Sequence, residues 1–562
     1  MNMKRIVLWP VLGLLLSACA APLVSPDRQV AVQLDPEGMQ ISYSGQPVQR
    51  IEIPLGESRY DRRAGVFHCD GFDLELRVTG QGVGFRFLGR EPRTVYRIPE
   101  GTTRWLGRYK DDYESLFPRT ERAATGKWIY PALVEYHPGI FGLISEAALD
   151  RGQCGSHLVS AEGSEEYVLE TSDADPRYDC SPWRVVVVGD AAALVESTLI
   201  EDLSPASRLS DTSWIRPGVS SWIYWAHNHG SKDYAIVKDY IDLAAEMHWP
   251  YCLIDWEWPE MTGGTVEEAI AYARQKGVRV NLWYNSGTSW TGPGAPQPED
   301  RLRDPQARER EFAWLESLGV AGVKVDFFSP DNRDMVNYYL DILEDAARHH
   351  LLVDFHGCTI PRGWQKTWPN LMSMESVFGA EWYNNVPFFG PLAASHNATL
   401  PFTRGLMGPM DYTPGTFSDS QHPHLTTYAH ELALPILYQS GLQHMPDRPE
   451  VYRSLPEEVR ALLSGLPVVW DETGLLDGYP GHHVVMARRR GDNWYIAGIN
   501  GTDEPLRLSW TRELPAGRGT LFADGDEDRA FSIREISTLP DGIDCRPRGG
   551  FVIRWEVVGG KD

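Results

Sequence analysis

The chain has 562 residues, too many for one hydrophobic core, so about two to four domains are expected. Hydrophobic residues make up 42% and charged residues 23%, a globular composition that excludes long disorder. A formal charge of −24 excludes a general nucleic-acid binder, which needs a basic footprint, and suits a self-repelling protein with a neutral substrate.

At the N-terminus, Lys4 and Arg5 precede a short apolar run, Ile6 to Leu16, that ends in Leu16-Ser17-Ala18-Cys19. This reads as a secretory signal over 1–18, too short to span a membrane. The Leu-Ser-Ala-Cys ending resembles a bacterial lipobox, which implies cleavage before Cys19 and lipidation there. Several acyl chains would then anchor the protein to a membrane surface. Ala20 follows the cysteine, as expected of an outer-membrane lipoprotein of a Gram-negative bacterium, on the periplasmic or cell-surface face. The alternative is a plain signal peptide with a chance cysteine. The other six cysteines form no CxxC pair, so no zinc motif is visible, and their disulfide connectivity stays open.

Residues 19–210 read as β structure. Phe72 to Val78 alternates apolar and polar, Gly80-Gln81-Gly82 turns the chain, and Val83 to Phe87 alternates back. Hairpins of this kind with no long helix between them predict an antiparallel β-sandwich.

Over 211–464 apolar strands alternate with amphipathic helices. Strands are predicted at Val219–Trp225, Tyr251–Trp256, Val278–Trp283, Val320–Phe328, Leu351–Phe355 and Leu371–Glu375. Helices are predicted from Ile236 to Met247 behind a Ser231 cap, from Thr265 to Lys276, from Pro305 to Leu318, and around Met335 to Ala347. Repeated βαβ units of this size predict a (β/α)8 TIM barrel, with strands seven and eight near Leu400 and Ile436. An open doubly wound sheet is the alternative, though no GxGxxG opens the first unit. Residues 465–562 return to β, with a hairpin turning at Arg490-Gly491-Asp492, and predict a small C-terminal β-sandwich.

In a barrel, catalytic groups sit at the C-terminal ends of strands. Asp255, Asp326, His356 and Glu375 end strands two, four, five and six, and Glu381 lies in the loop beyond. Trp256, Trp258, Trp283 and Trp382 join them. Carboxylates among aromatic rings suit glycoside cleavage, in which one acid protonates the leaving oxygen and another attacks carbon or activates water. Each has a structural alternative: Asp326 as a helix cap, Glu381 as a solvated loop residue, His356 as a satisfied core histidine. Glu257, Asp354 and Asp411 read as structural, and Trp222, Trp225, Trp249 and Trp368 as packing.

Several stretches in order resemble glycoside hydrolase family 97. They include Leu253-Ile254-Asp255-Trp256, Gly322-Val323-Lys324-Val325-Asp326-Phe327, Leu352-Val353-Asp354-Phe355-His356-Gly357 and Gly408-Pro409-Met410-Asp411-Tyr412-Thr413-Pro414-Gly415. The resemblance implies an N-terminal β-super-sandwich, a (β/α)8 barrel and a C-terminal β-domain, exo action on α-linked sugars, and a calcium ion. It also implies a branch. Inverting α-glucosidases carry a glutamate after the strand-five histidine, whereas retaining α-galactosidases keep the strand-four aspartate. Asp326 and Gly357 place this chain with the retaining branch. By that resemblance Asp326 is the nucleophile, Glu381 the acid/base, and Glu146, Glu375 and Glu381 hold Ca2+. Asp255, Trp256, Trp283, Lys324 and His356 would contact the sugar, an α-galactoside. Rival readings are another α-glycosidase of the same fold, such as an α-glucosidase, or a non-catalytic glycan-binding lipoprotein. The oligomeric state is not legible.

Overall fold

The computed structural model describes residues 22–557 apart from 175, 177 and 178, so Cys19 and the signal segment lie outside the described residues. The first part holds two antiparallel sheets, of eight and nine strands, built from residues between Leu23 and Gly189. Val30, Ile41 and Ile51 from one sheet pack in the same core as Leu74, Phe85 and Val185 from the other. Phe72–Thr79 and Gly82–Gly89 form the predicted hairpin, with every residue from Phe72 to Thr79 paired. Two short helices, Ala191–Val195 and Leu199–Leu203, lead out of the sandwich.

Seven parallel strands follow: Gly218–Trp222, Tyr251–Ile254, Arg279–Asn285, Gly322–Asp326, Leu352–Phe355, Leu371–Met374 and Leu442–Met445. They are buried along almost their whole length, as a parallel sheet covered by helices on its outside requires. The last strand pairs with the first. The remaining gap is narrowed by one parallel bridge, Met374 to Met410, with Met410 N donating to Gln439 O and Asp411 N to Met374 O. The protein is therefore a TIM barrel whose seventh place is reduced to a single bridge. Strands seven and eight do not lie at Leu400 and Ile436: Leu400 opens a 3-10 turn, and Ile436 is in the helix Tyr428–Leu437. Both positions are apolar because they are fully buried in the core.

Local signals set the helices on the barrel exterior. Asp233, not Ser231, caps Tyr234–Glu246, and Thr265 with Glu268 forms a capping box on Val266–Gln275. Asp304 caps Pro305–Leu318, and Asn332 caps Arg333–Arg348. With Asn332 in that role, Asp326 is free of capping. The C-terminal part is a six-stranded antiparallel sheet plus a two-stranded one, spanning Glu472 to Val557, with a core that includes Ile496, Leu521 and Ile553. All six described cysteines are free thiols. Among the described residues no helix is long and apolar enough to cross a membrane.

Candidate active site

Side chains two residues apart on a strand share a face. Lys324 and Asp326 therefore meet at the inner face of the fourth strand, and Asp354 and His356 at the fifth. Asp326 is 9% exposed. Its Oδ1 accepts from its neighbour's backbone, Phe327 N, at 2.7 Å, and its Oδ2 accepts from Trp283 Nε1 at 3.1 Å. Phe327 takes a left-handed φ of 64°, a strained turn for an aromatic residue directly after a functional carboxylate. Gly357 sits against the same carboxylate. At φ +46°, a Cβ there would lie 2.9 Å from Asp326 Oδ1. The glycine is what lets Asp326 occupy its position.

Glu381 stands across Lys324, its Oε1 3.8 Å from the ammonium, while Asp255 Oδ2 is 3.7 Å from that ammonium on another side. Burial opposes the charge on Lys324, but Asp255 and Glu381 outweigh it and hold the lysine protonated. Asp255 Oδ2 also accepts from Trp222 Nε1 at 2.6 Å, and the Trp222 ring lies under Lys324 at 4.3 Å. Trp222 is packing, as expected, yet it touches both charges.

Burial raises the Asp326 pKa to about 6, against the pull of His356 and Lys324. Burial also raises Glu381, to about 8, with Lys324 holding it down and Glu375 pushing it up. Two carboxyl groups whose environments hold them apart in this way can divide the roles of anion and acid at neutral pH.

His356 is not a passive core histidine. Its Nδ1 is 3.1 Å from Glu375 Oε2 and 3.5 Å from Glu381 Oε1, and its Nε2 is 2.7 Å from Asp411 Oδ2. Burial works against an imidazolium, but Glu375 and Asp411 overcome it and keep the ring charged. Asp411, which the sequence reading left as structural, accepts from His356 and from His444 Nδ1 at 2.8 Å and so fixes the ring. Glu375 is anchored from the other side, where Gly357 N donates to its Oε2 at 2.8 Å.

The aromatic residues divide differently from the expectation. Trp283 is 1% exposed, so its indole serves Asp326 rather than offering a face to a sugar. Trp258 is likewise buried and donates to Trp283 O. Trp256 is half-buried, stacked on His229 with ring centroids 5.5 Å apart. Trp382 donates through Nε1 to Glu114 Oε2 at 2.8 Å.

Glu146 does not join Glu375 and Glu381. It is wholly buried, and its oxygens are taken by Arg184, Arg362 and Ser156. Arg184 stands directly opposite it on the neighbouring strand, so the register saturates the carboxylate. The sandwich residue that reaches the barrel mouth is Glu114. Burial raises its pKa well above the usual carboxylate range, and Glu375, Asp112 and Glu381 push it further. Its loop is fixed by the preceding Tyr113, whose hydroxyl donates to Asp331 Oδ2 at 2.8 Å and accepts from Arg362 Nη2 at 2.9 Å. The acidic run Asp111-Asp112-Tyr113-Glu114 was the only sequence sign of it.

Among the described residues, His356 with Glu375 and Glu381, and Asp354 with His356 and Asp411, place donor atoms within reach of one ion. Glu381 Oε1 is buried with no hydrogen-bond partner, and Glu114, Glu375 and Glu381 repel one another. Oxygen donors with surplus negative charge fit a hard divalent cation.

A TIM barrel with paired acids, a lysine and a charged histidine at the C-terminal mouth of its strands has the layout of a glycoside hydrolase, and the comparisons show that this enzyme is one. The comparisons give the particular family. Family models described as "Glycosyl-hydrolase 97 N-terminal", "Glycoside hydrolase 97" and "Glycosyl-hydrolase 97 C-terminal, oligomerisation" match residues 56–205, 219–377 and 469–556. The chain belongs to glycoside hydrolase family 97. It is 37% identical over 548 residues to a "Probable retaining alpha-galactosidase" of Streptomyces bingchenggensis, covering 90% of this chain and 78% of that one. It is 30% identical over 570 residues to a "Retaining alpha-galactosidase" of Bacteroides thetaiotaomicron, covering 86% and 83%. Among solved structures, a beta-arabinopyranosidase superposes with a TM-score of 0.85 at 26% identity, covering 95% of this chain and all of that one.

Proposed function

We propose that the protein is a retaining exo-α-galactosidase in which Asp326 is the nucleophile and Glu381 the acid/base. The observation that carries this reading is Asp326 itself, held by Trp283 and by the Phe327 backbone, with no side chain at Gly357 to crowd it. A glutamate at position 357 would activate water instead, and there is none. The names of the two relatives support the same sugar and stereochemistry.

Ionised Asp326 attacks the anomeric carbon while protonated Glu381 delivers its proton to the leaving oxygen. The carbon–oxygen bond breaks and a glycosyl-Asp326 ester forms. Glu381, now a carboxylate, takes a proton from water as that water attacks the same carbon, and Asp326 leaves. Two inversions restore the α-anomer. Asp255 and Lys324 are the charges offered to the sugar hydroxyls, and a mismatched epimer would leave one of them unpaired.

Glu114, Glu375 and Glu381 are the residues that would hold Ca2+, in place of the expected set with Glu146. Bound there, the ion supplies positive charge beside the acid/base and offsets the repulsion among the three carboxylates. The chain is further read as lipid-anchored at Cys19 on the outer membrane. Its C-terminal domain, which matches an oligomerisation model, suggests self-association.

The experiment is proton NMR of the sugar first released from 4-nitrophenyl α-galactoside. α-Galactose before mutarotation supports the reading, and β-galactose first overturns the role of Asp326. The likeness to the beta-arabinopyranosidase favours one second reading, an arabinopyranoside substrate. Faster release from the 4-nitrophenyl β-arabinopyranoside would select it.

A further inference from the structure

Where the sandwich, barrel and C-terminal sheet meet, away from the catalytic mouth, a cavity of about 310 Å3 is lined by residues of all three parts. Its walls include Glu196 and Glu201 from the sandwich exit, Gln365 from the short helix Trp364–Thr367, Gly408 from a barrel loop, and Arg488 from the strand His483–Arg490. Arg488 is 5% exposed. One guanidinium nitrogen, Nη2, donates to Leu437 O at 3.0 Å, while Nε and Nη1 are buried with no partner. Trp470 covers it with its ring 5.7 Å away.

No carboxylate among the described residues pairs with this guanidinium. The two acids in the cavity wall each accept through one oxygen from groups other than Arg488. Glu201 Oε1 accepts from Gln365 Nε2 at 3.0 Å, and Glu196 Oε1 accepts from Arg512 Nη1 at 3.1 Å and from Leu475 N at 3.3 Å. Burial alone pulls the Arg488 pKa down, to about 10, so the side chain still carries its charge at neutral pH. A buried charge with unmet donors is costly unless a counter-charge meets it. Gln365 Oε1, also buried and unpartnered, offers an acceptor for water hydrating such a group.

We propose that this three-domain cavity is a binding site for a small monovalent anion, a halide or a carboxylate, held on Arg488 Nε and Nη1. The anion would complete the junction and tie the C-terminal sheet to the other two domains. It is independent of the reading of the catalytic site.

Crystals of the full chain grown in sodium bromide should give an anomalous peak within hydrogen-bond reach of Arg488. Parallel crystals in sodium acetate should give a planar carboxylate there if that is the better ligand. Water alone in both, or Arg488 turned onto Glu201, overturns the proposal. In solution, saturating bromide or acetate should raise the thermal midpoint by about 2 °C or more. Arg488→Met, which keeps the wall packed, should lose that increment. An equal increment in the variant also overturns the site.

Discussion

Two buried charge clusters, one where the sandwich meets the barrel and one at the barrel mouth, satisfy their carboxylates to different degrees. In the first, Glu146 and Asp331 face Arg184 and Arg362, with Ser156, Ser172, Thr359 and Tyr113 supplying further donors. Each carboxylate oxygen there has a donor, and although burial opposes it, Arg362 leads the groups that hold Asp331 below the usual carboxylate range. In the second, Glu381 Oε1, both oxygens of Asp354 and one of Asp411 are buried without a partner, and Asp326, Glu381 and Glu114 are all pushed up. A saturated carboxylate is a fixed anion that fastens domains together. An under-satisfied one can gain or lose a proton, accept a cation or attack carbon. Both clusters are buried, but the first balances two carboxylates against two guanidinium groups while the second holds more carboxylates than cations, so donor number and charge balance together separate them.

The largest effect expected is on the second cluster. Asp326→Asn keeps the shape of the side chain and removes the proposed nucleophile, so turnover should fall on the order of 10^4-fold or more, with substrate binding retained by calorimetry. In kcat/KM, which reports formation of the glycosyl-enzyme and not its hydrolysis, Glu381→Gln should cost about 10^2- to 10^4-fold on a sugar leaving group. It should cost much less on 4-nitrophenyl galactoside, whose leaving oxygen needs no proton. Equal losses on both substrates would remove Glu381 from the acid role.

What the sequence made legible follows the same division. Asp255, Asp326, His356 and Glu375 could be found because each ends an apolar strand, and barrel geometry brings strand ends together. Glu114 could not, since it reaches the mouth from a loop of another domain, where the Tyr113 clamp on Asp331 and the Trp382 indole hold it. Glu146 was expected at the ion from family resemblance alone, which does not show its register partner Arg184. Strand seven was illegible for a simpler reason. One bridge at Met410 leaves no periodicity, and the four-residue strand Leu442–Met445 carries Gln443 and His444 among its apolar residues.

Paired substitutions sharpen the contrast between the clusters. Glu146→Gln should destabilise the fold by about 3 kcal/mol, because it leaves two buried guanidinium groups short of charge. Urea denaturation measures that, and calcium affinity by titration calorimetry should be unchanged. Glu114→Gln should do the reverse, with weakened calcium binding and nearly unchanged stability. The opposite pattern would restore Glu146 to the ion and return Glu114 to the surface loop.

The smallest effect, and the most informative about the acids, is the pH profile of kcat/KM. Asp326 must be ionised to attack, and with a pKa near 6 the rate should fall about tenfold per unit as pH drops well below that value. Glu381 must be protonated to assist departure, and with a pKa near 8 the rate should fall likewise as pH rises beyond it. These limbs belong to the pair rather than to isolated residues, because each carboxylate feels the other's charge. Asp326 lies among the groups that raise Glu381, so ionising the nucleophile strengthens the acid's hold on its proton. Calcium, if bound as proposed, would act in the opposite sense. A divalent charge held by Glu381 favours its carboxylate, so calcium should move the basic limb to lower pH, while Glu114→Gln should blunt that movement. A basic limb that ignores calcium would mean that the ion and the acid do not share Glu381, leaving the cation to Glu114 and Glu375.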